Sequence, residues 1–160
     1  MRDEIRNKVS DILQAIGAAY VATYCGATKR DEWECDAWCC TFTTRDGKTS
    51  ESFEYFTGLG HRKTVRGLKA LGMKGAQHVK GQWQAAKPVS PCAASVLHSL
   101  LLDSDAVGQS FASWCSDMGM GSDSRKAYAT YEACQENADK LARVFDSIAR
   151  AAMREALEDY

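Results

Sequence analysis

The chain has 160 residues, 45% of them hydrophobic and 26% charged, so one domain can bury a core without disulfide bonds or a structural metal. No apolar run approaches the roughly 20 residues that a membrane helix needs, and the charged start at Met1–Ile5 lacks the apolar core of a signal peptide. These features argue against a membrane protein and a disulfide-dense secreted scaffold. We expect a single domain over residues 1–160, in the cytoplasm of the cell that makes it, with no membrane partner.

Seven cysteines are many for this length, but their odd number and the missing signal peptide predict reduced thiols. They are Cys25, Cys35, Cys39, Cys40, Cys92, Cys115 and Cys134. Free cysteines commonly pack in protein interiors as small hydrophobic side chains. We expect that role for most of these residues.

The start of the chain predicts a helix followed by a strand. Residues 3–20 place apolar side chains at spacings of three and four, as one face of an amphipathic helix does. Residues 19–25 are rich in aromatic and β-branched side chains, which favours a strand. Residues 26–34 are predicted as a polar connection.

Two further strands are predicted after this connection. Residues 35–44 alternate between two faces, and residues 49–56 return as the partner strand. The dipeptide Asp46-Gly47 lies between them, and such a pair supplies the positive φ that tight hairpin turns require. We therefore expect a three-stranded antiparallel sheet. One face of its middle strand carries Trp38, Cys40 and Phe42.

Residues 57–91, which we call the basic segment, differ in charge from the rest of the chain. They contain seven Lys or Arg and no Asp or Glu, whereas the remainder contains 13 Lys or Arg against 21 Asp or Glu. The net charge of −1 therefore hides a segment of +7 on a body of −8. Glycines punctuate this predicted insertion, and short helices are predicted at residues 64–71 and 75–86.

Beyond the basic segment the pattern becomes helical. Apolar faces predict one helix over residues 93–101 and a second over residues 107–118, ended by Gly119. Ser122 or Asp123 is predicted to cap one final helix of about 35 residues. Its apolar face is predicted to include Leu141, Phe145, Ile148 and Ala152. The fold class is therefore α+β: an N-terminal helix, a three-stranded antiparallel sheet, the basic insertion, and C-terminal helices ending in one long helix.

No catalytic or metal-binding motif is recognisable. Zn²⁺ accepts thiolates, but strand spacing turns Cys40 away from Cys35 and Cys39, and no second close pair of ligands completes a site. The glycines after the third strand lack the Lys-Ser/Thr pair of a phosphate-binding loop. We therefore predict a protein that is not an enzyme and has no catalytic residues, metal or cofactor. Four aspartates are predicted to stabilise helix N-termini: Asp103, Asp105, Asp117 and Asp123.

The basic segment is the predicted partner-binding surface, because cations beside an aromatic ring suit phosphate contacts together with base stacking. The predicted contact residues are Arg62, Lys63, Arg66, Lys69, Lys74, Lys80 and Trp83. A solvated loop that balances an acidic body would explain the same charges. Acidic side chains on the predicted final helix offer a second surface: Glu132, Glu136, Asp139, Asp146, Glu155, Glu158 and Asp159.

Short motifs spread over residues 35–140 form a familiar pattern. They are Tyr55–Arg62, Pro91, Ala94, Val96, Leu97, Leu101, Phe111, Trp114, Cys115, Asp123–Ala127, Tyr131 and Cys134. This pattern resembles a group of small phage and prophage accessory proteins. Small phage proteins without catalytic motifs are often inhibitors of host defence, including anti-CRISPR proteins.

The resemblance implies a phage-encoded binding protein that inhibits a bacterial immune effector, in the manner of an anti-CRISPR, by blocking its nucleic-acid or partner surface. The expected partner is a host-defence protein or ribonucleoprotein complex. The alternative is a nucleic-acid-binding accessory protein in phage replication or regulation, which would contact nucleic acid directly through the basic segment.

Overall fold

The computed structural model confirms the predicted α+β class, with an N-terminal helix, a three-stranded antiparallel sheet and C-terminal helices. It describes residues 1–30, 33–44, 46–58, 76–79, 82–85 and 88–160. Two compact units are present. The first unit contains residues 1–20, 42–51 and 92–160, and the second unit contains residues 21–41 and 52–91. The basic segment belongs to the second unit.

The sheet has the strand order β1-β2-β3, with β1 at Ala19–Arg30, β2 at Trp33–Thr43 and β3 at Ser50–Thr57. The predicted alternation of β2 is confirmed, since Trp38, Cys40 and Phe42 are all buried. Between β2 and β3, Gly47 adopts a φ of 67°, as the predicted Asp46-Gly47 turn requires. Thr44 Oγ1 donates to Asp46 Oδ1 at 2.6 Å and fixes the turn.

The polar connection predicted at residues 26–34 is wrong, because β1 continues to Arg30 and β2 begins at Trp33. An antiparallel strand with one face toward water can carry polar side chains without losing its backbone hydrogen bonds. Polarity alone therefore did not mark a loop here.

The helix predicted at residues 75–86 is also wrong. Strands β4 (Ala76–Val79) and β5 (Gln82–Ala85) pair antiparallel, with Val79 opposite Gln82. Two residues lie between these strands, which is the commonest length of a hairpin connection. Alanine, glutamine and lysine favour helices in isolation, but strand pairing overrides so weak a preference. The helix predicted at residues 64–71 lies outside the described residues.

Five α-helices and one 3-10 helix form the rest of the described chain: α1 (Arg2–Ile16), α2 (Ala93–Asp103), the 3-10 helix (Ser104–Gly108), α3 (Phe111–Met118), α4 (Arg125–Val144) and α5 (Ser147–Ala156). Gly119 ends α3 in the left-handed conformation, as predicted. The N-cap of α4 is Ser124, whose hydroxyl accepts from the Ala127 amide, so the caps predicted at Ser122 or Asp123 are wrong by one or two residues. None of these helices combines the length and the apolar composition that spanning a bilayer requires.

The predicted final helix of about 35 residues is divided into α4 and α5. Phe145 takes an extended conformation, and the Asp146 carboxylate accepts a hydrogen bond of 2.8 Å from the Ala149 amide to begin α5. The break changes which side chains face inward. Ile148, predicted on the apolar face, is 80% exposed, whereas Ala149 and Met153 are buried.

The core of the first unit is formed by α1, α2, α4 and α5, around the large buried side chains of Phe42 and Phe145. The Phe42 ring lies 5.0 Å from Tyr20 and meets the edge of Phe145 at 5.5 Å. An ion pair of 2.6 Å joins Arg143 near the end of α4 to Glu51 in β3. This pair joins the end of α4 to the hairpin formed by β2 and β3.

A second apolar cluster in the first unit joins the 3-10 helix to α3 and α4. Its buried members are Ala106, Trp114, Cys115 and Ala127. Phe111 and Tyr131 pack against them, and the Tyr131 hydroxyl donates to the Gln109 carbonyl at 2.7 Å. The hydrogen bond satisfies the polar end of a side chain whose ring lies in the cluster.

Candidate functional site

The predicted partner-binding residues divide into two groups. Arg62, Lys63, Arg66, Lys69, Lys74 and Lys80 lie outside the described residues. Trp83 lies in β5, opposite His78 in the β4–β5 hairpin. Their predicted role in partner binding stays a prediction.

The basic segment begins at the end of β3, in a region that we call its root: Trp38, Thr57 and Gly58. Trp38 is only 5% exposed, and its indole Nε1 donates a hydrogen bond of 2.9 Å to Thr57 Oγ1. The next residue, Gly58, has a φ of 35°, in the left-handed region that favours glycine. The chain therefore leaves the sheet at Gly58, in a backbone conformation that is unfavourable for residues with a Cβ atom.

Two further cations, Lys29 and Arg30, belong to this end of β1. The Arg30 guanidinium lies 4.3 Å from the centre of the Phe56 ring, a distance typical of a cation–π contact. Phe56 directly precedes Thr57, so Arg30 carries its charge to the place where the basic segment begins. Sequence reasoning missed these residues because it assigned residues 26–34 to a connection. The polar sequence around Lys29 and Arg30 did not indicate that they lie at the same end of the sheet as Phe56.

A buried polar contact supports the same root from the other side of Trp38. Asp36 is 6% exposed and accepts a hydrogen bond of 2.9 Å from the Tyr24 hydroxyl. The Tyr24 ring lies 5.2 Å from the Trp38 ring. Hydrogen-bonded side chains in the interior are held in one arrangement, so this contact stabilises the part of β1 and β2 that surrounds Trp38. The exposed Lys29 and Arg30 can present positive charge to phosphates or carboxylates.

The acidic surface predicted on the final helix is present but distributed. All seven acidic residues are exposed. Glu132, Glu136 and Asp139 lie on one side of α4 at helical spacing, and we call them the acidic helix face. The other four occur at the cap of α5, in α5 and just after it: Asp146, Glu155, Glu158 and Asp159.

Two neighbours of the acidic helix face, Tyr128 and Lys140, interact with its carboxylates. Glu132 raises the pKa of the Tyr128 hydroxyl, mainly through its negative charge and to a smaller extent through a hydrogen bond between the two side chains. Lys140 pairs with Glu136 at 3.3 Å. Exposed pairs of this kind contribute little to stability, so the carboxylates remain accessible to a basic partner.

The thiols and aspartates considered for chemistry have mostly structural surroundings. All seven cysteines are free; Cys35, Cys40 and Cys115 are buried, and Cys25 is exposed. Among the residues that the structure describes, no group of three His, Cys, Asp or Glu side chains has the arrangement to hold a metal ion.

Asp103 ends α2 and occupies the N-cap position of the 3-10 helix, as its predicted place at a helix end requires, but its side chain makes no capping hydrogen bond. Its carboxylate instead accepts hydrogen bonds from Asn137 Nδ2 at 3.0 Å and Cys134 Sγ at 3.6 Å. Burial raises the pKa of Asp103, and the two hydrogen bonds oppose this rise. Burial and the neighbouring Asp103 charge raise the pKa of Cys134 to about 11. Cys134 therefore stays a thiol at neutral pH. The capping role predicted for Asp117 is wrong. Asp117 lies in the last turn of α3, and its carboxylate accepts a hydrogen bond of 2.8 Å from Gln109 Nε2.

No family model matches the chain, and no curated protein or solved structure is significantly similar to it. The resemblance to small phage accessory proteins therefore stays a prediction.

The Asp103 cluster predicts a distinct pH dependence of stability. Because the folded-state pKa of Asp103 is raised, its protonation favours the folded state. This stabilisation is complete below the unfolded pKa of about 4 and is lost as the pH rises through the folded pKa. We expect the wild-type chain to gain stability relative to Asp103→Asn as the pH falls from neutral, measured by urea unfolding. The exposed Asp123→Asn change is the control, and parallel pH profiles for wild type and Asp103→Asn would contradict the prediction.

Proposed function

We propose that this chain is a phage-encoded binding protein of the host cytoplasm that inhibits a bacterial immune effector, in the manner of an anti-CRISPR. It acts by blocking the nucleic-acid or partner surface of that effector. The observation that carries this proposal is the separation of charge along the chain, +7 in the basic segment and −8 in the remainder. A divided charge distribution suits the recognition of a partner that itself combines protein with nucleic acid.

The contacts at the root of the basic segment support this proposal. Lys29 and Arg30 extend the positive charge of the segment onto the sheet, and Trp38 fixes the exit of the chain through Thr57. Charges held on a rigid base lose less conformational entropy on binding than charges on a free loop. The root therefore favours a specific contact over diffuse attraction.

The acidic helix face supports a second contact of opposite sign. Glu132, Glu136 and Asp139 are exposed together on α4, and a row of carboxylates attracts the Lys and Arg side chains that line a nucleic-acid path. An inhibitor with both charges can cover bound nucleic acid with one surface and a protein surface with the other. Each contact alone would be weakened by salt.

The proposal is tested in bacteria that carry a CRISPR system directed against a phage. The chain is expressed from a plasmid, and the efficiency of plating is measured over a panel of CRISPR types. Inhibition of one type should raise plating of the targeted phage by orders of magnitude and leave an untargeted phage unchanged. If plating does not rise for any type in the panel, the anti-CRISPR function is rejected.

Charge reversal in the basic segment gives the corresponding prediction for binding. The triple change Arg62→Glu, Lys63→Glu and Arg66→Glu should weaken binding to the inhibited effector at least about tenfold, which corresponds to about 1.4 kcal/mol. Titration of the purified effector with labelled protein measures this loss.

The matched control reverses three exposed cations of the first unit and changes the net charge equally. These residues are Arg2, Lys8 and Lys48. The control variant should bind within about twofold of wild type, because charges that make no contact with the partner act only through weak, screened attraction. Equal losses in the two triple variants would remove the basic segment from the mechanism.

Direct nucleic-acid binding is the second candidate function, favoured by the cations at the root of the basic segment. Gel shifts with single-stranded and double-stranded DNA and RNA distinguish it. A salt-sensitive shift that the basic-segment triple variant loses, without any rise in plating, would assign the chain to phage replication or regulation. No shift at low salt would reject that alternative.

A further inference from the structure

A cleft of about 540 Å³ in the first unit lies beside α1 and the start of α2. This volume is within the range of pockets that bind small molecules. Its polar lining includes Arg6, Ser10, Gln14 and Cys92, and Leu13 and Tyr20 contribute apolar surface. The cleft thus combines a cation, neutral hydrogen-bonding groups and a thiol.

Cys92 occupies the N-cap position of α2 and contacts two hydroxyl groups. Its Sγ lies 3.2 Å from Ser95 Oγ and 3.4 Å from the Tyr160 hydroxyl. The two hydroxyl oxygens lie 2.6 Å apart, and the Tyr160 ring packs against His98 at 5.6 Å. The thiol is therefore held in a hydrogen-bonded cluster at one side of the cleft.

The surroundings of Cys92 favour its ionised form. Burial alone would raise the pKa of this thiol, but hydrogen bonds with Ser95 and Tyr160 and the charge of Arg6 outweigh burial and lower the pKa. The pKa of Arg6 is raised, mainly by a hydrogen bond with Tyr160 and to a smaller extent by the negative charge of Cys92. Thiolates at helix N-termini beside arginine are the reactive cysteines of proteins.

Arg6 is placed to act on a ligand as well as on the thiol. Its guanidinium also pairs with Asp3 at 3.2 Å, but the Asp3 side chain is 90% exposed and the pair is correspondingly weak. A carboxylate entering the cleft can replace Asp3 and form a charge-assisted hydrogen bond. The positive end of the α2 dipole favours the same negative charge.

We propose that the Cys92 cleft is a modification site at which an anionic, low-molecular-weight disulfide of the glutathione class forms a mixed disulfide with Cys92. The Cys92 thiolate attacks one sulfur of the disulfide, and a new S–S bond forms as the original one breaks. The departing thiolate carries away the electron pair and takes a proton from water. Cys92 is oxidised and the small disulfide is reduced. This inference is independent of the proposed inhibitor function.

The remaining cysteines lack one or more of these features. Cys35, Cys40 and Cys115 are buried, and Cys134 has a raised pKa. Cys39 is half-buried and lies within β2, so no helix N-terminus adjoins it. Cys25 is the informative internal comparison, because it is exposed and its thiol donates to the Thr23 carbonyl at 3.6 Å. If accessibility alone determined reactivity, Cys25 would react first.

The reaction is measured on the full, reduced chain with glutathione disulfide at neutral pH, followed by acid quenching and mass-spectrometric mapping of each cysteine. Cys92 should form the mixed disulfide several-fold faster than Cys25, because Arg6 attracts the anionic disulfide and the contacts with Ser95 and Tyr160 stabilise the Cys92 thiolate. Cys92 reacting no faster than Cys25 would overturn the proposal.

Two variants, each tested with two disulfides, separate the attraction of Arg6 for an anionic disulfide from the effect of losing any positive charge on α1. Arg6→Gln should slow the reaction of Cys92 with glutathione disulfide about fivefold, as expected from losing about 1 kcal/mol of attraction. The same variant should have a much smaller effect with cystamine, a disulfide that carries positive charges. Lys8→Gln changes an exposed cation on the same helix and should have little effect on either reaction.

A comparison of Arg6→Gln with Tyr160→Phe tests the cluster itself. Tyr160→Phe should slow both disulfides alike, because it removes a hydrogen bond to the thiolate and retains the positive charge of Arg6, although Arg6 also loses a hydrogen bond. Thermal unfolding of each variant shows whether the fold is retained. Equal slowing of both disulfides by Arg6→Gln would reject the anionic specificity and with it the proposed ligand class.

Discussion

Replacing Phe145 with alanine should lower the free energy of unfolding by about 3–5 kcal/mol. Phe145 is 1% exposed, and its ring meets Phe42 in the middle of the first unit. The side chain also occupies the joint between α4 and α5, where the backbone is extended and cannot move closer without disturbing both helices. The cavity should therefore remain largely open. Urea unfolding followed by circular dichroism measures the loss.

The neighbouring change Ile148→Ala is the control for this prediction. Ile148 is also a large apolar residue, only three positions away, but its side chain faces solvent at the start of α5. Its removal should change stability by no more than about 0.5 kcal/mol. Comparable losses at the two positions would mean that α4 and α5 form one continuous helix, in which both residues face inward.

Replacing Trp38 with alanine should also cost about 3–5 kcal/mol, because the indole is buried against Tyr24. Trp38→Phe retains most of the ring but removes the hydrogen bond to Thr57, for which we expect a loss of about 1–2 kcal/mol. Both values are measured by denaturant unfolding. If the two variants are equally stable, the indole ring contributes little beyond its hydrogen bond.

The Trp38→Phe variant also tests whether the root positions the basic segment. At a temperature where the variant is fully folded, it should bind the inhibited effector several-fold more weakly than wild type, because Thr57 loses its anchor. Trp114→Phe is the matched control, since Trp114 is equally buried but packs in the cluster of α3 and α4. Identical binding by both variants would show that the root does not position the segment.

The sheet was the most predictable part of the fold because local and long-range interactions agree there. In β2, every second residue from Trp38 to Phe42 faces inward, and Gly47 has the backbone conformation that its turn requires. A period of two is specific to strands, so this pattern had one interpretation. The same reasoning failed at Arg30, where the strand continues with polar side chains.

The division between α4 and α5 was missed because the hydrophobic spacing stays close to helical across it. Phe145, Ala149 and Met153 are buried at intervals of four, so the pattern itself does not record the break. The available signal was Asp146, a residue type favoured at N-caps. With no glycine or proline beside it, Asp146 is equally compatible with an exposed position in a continuous helix.

The Cys92 cleft had no signal in the sequence. Its thiol and the Tyr160 hydroxyl are separated by 68 residues, and Arg6 belongs to a third region of the chain. Such a cluster depends on how α1, α2 and the residues after α5 pack. Periodicity predicts which face of each helix is buried, but it does not predict which helices become neighbours.

The Arg143–Glu51 ion pair links two elements whose residues are 92 positions apart in sequence. The hydrogen bond from Arg143 lowers the pKa of Glu51, so acid weakens this link by protonating the carboxylate. Helix ends and strand ends are usually the first parts of a fold to open, each on its own. The ion pair is one restraint that the last turn of α4 and the start of β3 share, so its loss in acid should increase the opening of both ends. The increase should be small, because a partly exposed ion pair contributes little to stability.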